Sequence, residues 1–254
     1  MRALVTGAGG RLGRAMALWL GQNGWDVAVH YASSAEGATE VAGRIKAEGQ
    51  NAVTLQADLL DWDAAERLVP QAAEALGGEL TLLINNASIF QDDDFGTVTR
   101  ENWEAHMGSN LRAPLQLIGA FAAQAPEARR DAHAEPVAQA LVVNMIDQRV
   151  RKLTPRFVSY TLAKSGLWTL TQTAAQGLAP HVRVNAIGPG PTLQDAHQDS
   201  QSFARQRAAT VLERGSDPED IIGALAYLIG AKSVSGQLIC TDGGQHLAWR
   251  TPDV

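Results

Sequence analysis

Short runs of aliphatic and β-branched residues recur along the chain, at Ala3 to Thr6, Val27 to Tyr31, Ala52 to Gln56, Leu80 to Asn85, Ala140 to Met145, Val182 to Ile187 and Gln237 to Thr241. Their length and near-continuous apolarity predict strands. Between them lie longer segments whose apolar residues return at helical spacing, such as Arg14 to Leu20 and Ile221 to Leu228. Strands alternating with helices of this length predict right-handed crossovers and a parallel sheet covered on both faces, a doubly wound α/β architecture. Ligands in such sheets bind beyond the carboxyl ends of the strands, so the informative residues are expected just after each strand.

The first strand runs through Thr6, Gly7, Ala8, Gly9, Gly10, Arg11, Leu12 and Gly13 directly into a helix. Glycines allow a tight turn and close approach to a pyrophosphate, and the helix N-terminus offers unpaired N–H groups; many turns also need glycine for geometry alone. Arg11 stands where the common dinucleotide pattern has a third glycine. The second strand ends in His30, Tyr31, Ala32, Ser33 and Ser34, with no carboxylate before Glu36. A cofactor without a 2′-phosphate is usually held there by Asp or Glu, so this loop favours NADP(H), with the two serine hydroxyls as donors to the phosphate. The same serines suit the cap of the next helix.

Composition narrows the classes. A chain of 254 residues that is 45% hydrophobic can bury a full core, and with no linker, repeat or low-complexity block residues 1–254 read as a single domain. The net charge of -6, without a basic cluster, predicts neither nucleic acid nor an anionic membrane as partner. Neither a signal peptide nor a membrane-spanning run is expected, and the one cysteine, Cys240, excludes an internal disulfide and a cysteine zinc cage. The expectation is a cytoplasmic protein without a metal. The acidic run Asp92 to Asp94 reads as a solvated loop, His133, His181 and His197 lack ligand spacing, and Cys240 reads as a small core residue in an interior strand.

Tyr160 and Lys164 stand at positions i and i+4 of a helix-patterned stretch, and Asp147 lies after the strand that ends in Asn144, Met145 and Ile146. Helical spacing places the lysine ammonium beside the phenol, where a cation is expected to lower the tyrosine pKa and make Tyr160 a general acid or base.

In their order along the chain, the Thr6 to Gly13 turn, Asp58, Asn85-Asn86-Ala87, Asn110, Tyr160 with Lys164, Pro189-Gly190 and Asp242-Gly243-Gly244 resemble the short-chain dehydrogenase/reductase family over almost the whole chain. The resemblance implies a Rossmann fold, three layers αβα with about seven strands. It implies that Tyr160 is the proton donor, that Lys164 binds the nicotinamide ribose, and that Asn110 holds a relay water. Around the cofactor it implies Gly7, Arg11, Leu12, His30, Tyr31, Ser33 and Ser34 on one side of the switch, with Asp58 and Leu59 at the adenine. Asn86, Ala87, Ser88, Asn144, Pro189 and Gly190 complete that set.

Two departures from the common family pattern, Asp147 in place of a serine and Arg11 in place of a glycine, are similar to the pteridine reductases and the bacterial dihydromonapterin and dihydrofolate reductases. That likeness implies a substrate site of Arg11, Ser88, Phe90, Asp147, Tyr160 and Pro191, with Phe90 stacked on a pterin ring. Chemistry points the same way: an anionic Asp147 repels the alkoxide of a ketone reduction, whereas a C=N bond gains basicity at nitrogen and takes up a proton. The segment at about 191–215 is expected to cover the substrate, Arg250 to reach toward a neighbouring subunit, and helices at 99–125 and 158–178 to build a homotetramer. The alternatives are a carbonyl or 3-oxoacyl reductase or alcohol dehydrogenase on the same scaffold, and a non-catalytic NADP-binding sensor.

Overall fold

The computed structural model describes residues 1–194 and 199–249. Arg250 and His197 lie outside the described residues, as does part of the substrate-covering segment. Seven strands form one sheet in the order β3-β2-β1-β4-β7-β8-β9: β1 Arg2–Val5, β2 Asp26–Tyr31, β3 Ala52–Gln56, β4 Leu82–Asn85, β7 Ala140–Met145, β8 Val182–Pro189 and β9 Leu238–Thr241. Every adjacent pair is parallel. The seven strands expected from the apolar runs are all present. An additional two-stranded hairpin, β5 Arg129–Arg130 with β6 Pro136–Val137, was not expected, because two-residue strands carry no periodic signal.

Successive strand residues go to opposite layers. Ala3, Val5, Val27, Val29, Leu82 and Ile84 pack under helices α1 Arg11–Gln22, α2 Ala35–Ala47 and α8 Pro218–Gly230, meeting Met16, Leu20, Val41, Ile45 and Leu225. Leu4, Ala28, Leu83, Val142 and Val184 face the opposite layer, meeting Leu68 of α3 Trp62–Ala75, Leu117 and Phe121 of α5 Ala113–Gln124, and Ala174 of α6 Val158–Gly177. Truncating fully buried Phe121 to alanine costs about 3–5 kcal/mol by analogy with other cores.

The order of strands reverses at β1, which places the glycine turn at the switch point where open α/β sheets bind ligands. Helices start on local caps: Asp61 accepts the Ala64 N–H at 3.0 Å before α3, and Thr99 accepts that of Asn102 at 3.2 Å before α4 Arg100–Met107. The segment expected as one helix at 99–125 is divided. A π-helical turn, Gly108–Arg112, joins α4 to α5, and Asn110 sits within it. Among the described residues no helix is long and apolar enough to cross a membrane.

Candidate active site

Strand β7 delivers the chain to Asp147, which opens a short 3-10 turn, Gln148–Val150. Its Oδ1 accepts the Arg149 N–H at 2.8 Å, and its Oδ2 accepts the Tyr160 hydroxyl at 3.2 Å. Helix α6 carries Tyr160 and Lys164 on the face that continues through Leu167, Thr171 and Ala174, so the reactive pair shares the packed side of the helix. Lys164, 3% exposed, donates from Nζ to the Met145 carbonyl at 2.8 Å.

Burial dominates the electrostatics. It raises the Asp147 pKa against the pull of the Arg149 N–H and charge, and lowers that of Lys164 to about 8 although Asp147 favours the ammonium. The expectation that Lys164 makes Tyr160 acidic is not met. Burial, followed by the charge of Asp147, holds the phenol well above its ordinary value. Tyr160 is therefore protonated at neutral pH and donates its hydrogen bond to Asp147.

Asn110 is fully buried, and its side-chain amide is engaged with one peptide: Oδ1 accepts the Ile89 N–H at 2.9 Å and Nδ2 donates to the Ile89 carbonyl at 2.8 Å. Only one amide hydrogen is left for a water. Its evident work is to hold the loop that carries Ser88 and Phe90.

The glycine turn is built for close approach. A Cβ on Gly13 would lie 2.3 Å from the Gly7 carbonyl oxygen, and one on Gly37 of α2 would lie 2.2 Å from that of Gly9. No side chain caps α1 and no acid occupies its first turn, so its N-terminal N–H groups are not used by a local carboxylate. Thr6 Oγ1 accepts the N–H groups of Asn86 and Ala87 at 2.8 and 2.9 Å, and Asn86 Nδ2 donates to the Thr6 carbonyl at 2.8 Å, which fastens the turn to the end of β4.

His30 does not reach the cofactor side. It is 1% exposed, its Nδ1 accepts the Gly7 N–H at 3.0 Å, and its Nε2 lies 3.1 Å from the Ala57 carbonyl. These partners fix a neutral ring with the proton on Nε2, and burial lowers its pKa to about 4. The residue acts from beneath, by shaping the turn. Asn144 is likewise interior: its Oδ1 accepts from Asn85 at 2.8 Å and its Nδ2 donates to Thr171 at 2.9 Å, bracing β4 and β7 against α6.

Other expected cofactor residues lie around the same rim. Leu12 and Tyr31 are partly buried against the core. Ser33 and Ser34 are exposed, and Ser34 occupies the cap position of α2 without a side-chain capping bond, so its hydroxyl is not doing the work of a cap. Asp58 is exposed and accepts the Leu60 N–H at 2.9 Å, whereas Leu59 is buried and offers its carbonyl to Arg112. Pro189 ends β8, and Gly190 packs so tightly that a Cβ there would meet Asp242 Cα at 2.6 Å.

On the substrate side, Arg11 adopts a left-handed conformation at φ 51°, and its guanidinium donates to the Gln194 and Leu193 carbonyls, each at 3.2 Å. It thus ties the glycine turn to the segment expected to cover the substrate, in which Pro191 is buried and gives its carbonyl to Arg207 at 3.1 Å. Ser88 is exposed, and its hydroxyl donates to the Ile89 carbonyl at 3.4 Å. Phe90, 45% exposed, stacks on Phe157 with centroids 4.6 Å apart and meets Tyr160 edge-on at 4.8 Å. Arg149 lies over the Phe157 ring at 4.6 Å. Arg149 is also a charge partner of Asp147, as an ion pair between the two in sequence suggests, whereas nothing in the sequence singles out Phe157.

The solvated reading of Asp92 to Asp94 is corrected at Asp93 alone. Asp92 pairs with Arg156, Asp94 accepts the Gly96 N–H at 2.8 Å, and Asp93 is 2% exposed. Cys240 lies in the edge strand β9 rather than an interior one, and burial pushes its thiol up to about 11, which removes it as a nucleophile. A cavity of about 620 Å³ between α8 and β9, lined by Leu212, Tyr227, Ile239 and Thr241 among others, includes neither Tyr160, Lys164 nor Asp147.

Comparison with known proteins agrees with this geometry. The short chain dehydrogenase family matches residues 1–204. The 3-oxoacyl-acyl-carrier-protein reductase FabG of Staphylococcus aureus (strain N315) is 30% identical over 250 residues, 96% of this chain and 98% of that protein. The crystal structure of FolM alternative dihydrofolate reductase 1 from Brucella suis in complex with NADP is 42% identical with a TM-score of 0.91, covering 100% of this chain and 98% of that one. The corresponding Brucella canis structure, also with NADP, is 41% identical with a TM-score of 0.89, over 100% and 97% of the two chains. The chain is an oxidoreductase that belongs to the short-chain dehydrogenase/reductase family, within which it resembles the pteridine and dihydrofolate reductase subgroup.

Proposed function

We propose that this enzyme reduces a ring C=N bond of a pterin or folate. NADP(H) is the cofactor of this family member, and the chain's own features fit it. The glycine turn with the uncapped start of α1 suits a pyrophosphate, and Ser33 and Ser34 suit a 2′-phosphate with no carboxylate to repel it. When bound, NADPH supplies hydride to a ring carbon. Tyr160 gives its phenolic proton to the adjacent ring nitrogen, so that C=N becomes CH–NH. Lys164, with its pKa at about 8, remains largely cationic at neutral pH and offsets the charge left on the phenolate. Asp147, a carboxylate whose pKa burial raises, takes up a proton from solvent after the transfer and passes it to the phenolate, which reloads Tyr160. Phe90 offers its ring as a shelf for a planar substrate, and Arg11 and Ser88 supply donors at its edge.

The observation that carries the reading is the Tyr160 hydroxyl donating to Asp147 Oδ2 at 3.2 Å. A carboxylate at that position opposes alkoxide development but assists protonation of nitrogen. The Brucella FolM neighbours, at 41–42% identity over the whole chain, support it. A second reading, reduction of a 3-oxoacyl or other carbonyl substrate, is favoured by the FabG relatives and by a protonated Tyr160 that serves a carbonyl oxygen equally. Purified protein mixed with NADPH and dihydrobiopterin, dihydromonapterin or dihydrofolate should consume NADPH with at least one of them. Turnover of 3-oxoacyl or ketone substrates with none of the three would replace the proposal by the second reading.

A further inference from the structure

Beneath Tyr160 lies a buried polar chain outside the set of residues expected from the sequence. The Gln91 N–H donates to His106 Nε2 at 3.1 Å, His106 Nδ1 lies 2.6 Å from Ser159 Oγ, and Ser159 Oγ donates to Asp93 Oδ2. Asp93 Oδ1 also accepts the Ser159 N–H at 3.2 Å. Asp93 is 2% exposed, and His106 and Ser159 are fully buried. The direction of the chain is dictated at one end. A backbone N–H only donates, so His106 Nε2 must be bare and Nδ1 must carry the proton. Ser159 Oγ receives that proton's hydrogen bond, and its own hydrogen is left for Asp93, which must accept.

The chain joins three segments of the site. Asp93 and Gln91 belong to the loop that bears Ser88 and Phe90; His106 lies in the last turn of α4, before the π-turn that holds Asn110; Ser159 precedes Tyr160. Asp93 also replaces a missing cap. Phe157, at the N-cap of α6 with φ 57°, has no side-chain oxygen, and the N–H groups of Val158 and Ser159 turn to the Asp93 carbonyl and carboxylate instead. The result holds the Phe90 ring edge-on to Tyr160 at 4.8 Å, while the His106 ring backs Tyr160 at 5.9 Å.

We infer that Asp93, Ser159 and His106 form a clamp of positioning residues that sets the substrate loop, with Ser88 and Phe90, in register with the Tyr160 hydroxyl. None of the three touches the reacting atoms; the clamp acts through Phe90 and Tyr160. The inference rests on the reading of Tyr160 as proton donor and Phe90 as substrate shelf.

Asp93→Asn is the informative variant, because it keeps the shape and reverses one hydrogen bond. Whichever way the new amide is turned, its NH₂ faces either the Ser159 N–H or the Ser159 hydroxyl. In the second case either Ser159 Oγ accepts from both the amide and His106, leaving its own buried hydrogen without a partner, or the reversal propagates through His106 until two donors meet at Gln91. Ser159→Ala removes the hydroxyl while leaving the helix-capping bond to its N–H, so it tests the same clamp should Asp93→Asn fail to fold. NADPH-binding sites are counted by fluorescence titration, and kcat and KM are expressed per site. Both clamp variants are expected to lower kcat/KM for the reducible substrate by about tenfold or more, as small misplacements of reacting groups do, with NADPH affinity within about twofold of the parent. Asp92→Asn, in the exposed pair with Arg156, should leave both constants unchanged. Unaltered constants per site with only a lower melting temperature, or an equal loss of NADPH affinity, would overturn the clamp. Failure of the pterin reading shows separately, as a parent that reduces only carbonyl substrates; the clamp is then measured on those. A parent that turns over neither class removes both.

Discussion

Replacing His30 by asparagine should flatten part of the pH dependence of stability. The ring is neutral in the fold because Nδ1 accepts from Gly7 and Nε2 donates to Ala57, and burial, opposed only by the bond to Ala57, lowers its pKa from 6.5 to about 4. At pH 7 the folded and unfolded chains both carry a neutral imidazole. Below about 6.5 the unfolded chain takes up a proton that the folded site refuses until about pH 4. The unfolded state then binds more protons, so stability is fully present above 6.5, falls as the pH drops, and levels off below about 4. At about 1.4 kcal/mol per pH unit the loss is about 3 kcal/mol. His30→Asn keeps an acceptor for Gly7 but does not titrate. Urea denaturation of both proteins at intervals from pH 7.5 to 4 should show the parent's advantage shrinking by about 3 kcal/mol as the pH falls. Groups common to both proteins, His106 and the carboxylates included, cancel in the difference. Parallel stability curves would refute the buried, neutral assignment and with it the role of His30 beneath the glycine turn.

Other substitutions test the two sides of the site. Gly37→Ala places a Cβ 2.2 Å from the Gly9 carbonyl oxygen, so α2 and the cofactor turn must separate by about 1 Å to reach ordinary contact. It should cost about 1–3 kcal/mol in urea unfolding and weaken NADPH binding in titration. Arg11→Gly relieves a left-handed residue while breaking its bonds to the Leu193 and Gln194 carbonyls. Its melting temperature should hold or rise, and its KM for substrate should increase. Tyr160→Phe should abolish reduction while fluorescence titration shows NADPH still bound, an outcome that excludes a silent NADP-binding sensor; unchanged turnover would remove Tyr160 as donor.

The architecture was legible because strands buried on both faces spell their own limits: Val27 to Tyr31 and Ala140 to Met145 are near-continuous apolar runs. The candidate site is legible on the same logic, since Asn86 lies immediately after β4, Asp147 two residues after β7, and Tyr160 and Lys164 share a helix face. What escaped depends on partners distant in sequence. Asp93 sits in an acidic run that looks solvated, and only the approach of Ser159, 66 residues away, makes it a buried acceptor. His30 reads as a residue at the mouth of a cofactor turn, but strand alternation points it inward to Ala57. The tyrosine was misjudged for the same reason. Helical spacing brings Lys164 near, but the depth of burial and the facing Asp147 oxygen, neither visible in one segment, set its pKa. The π-turn at Gly108–Arg112 has no pattern of its own within a longer helical stretch.

The central claim is that a carboxylate beside the proton donor selects a ring nitrogen over a carbonyl oxygen. It is tested most directly by NADPH oxidation over one panel of dihydropterins, dihydrofolate, 3-oxoacyl thioesters and ketones, with the parent and with Asp147→Ser. The parent should turn over a pterin or folate in preference to every carbonyl substrate, and Asp147→Ser should lower that turnover by about a hundredfold, in the range of general acid–base contributions, while carbonyl reduction is unchanged or raised. Pterin turnover undiminished in Asp147→Ser would contradict it.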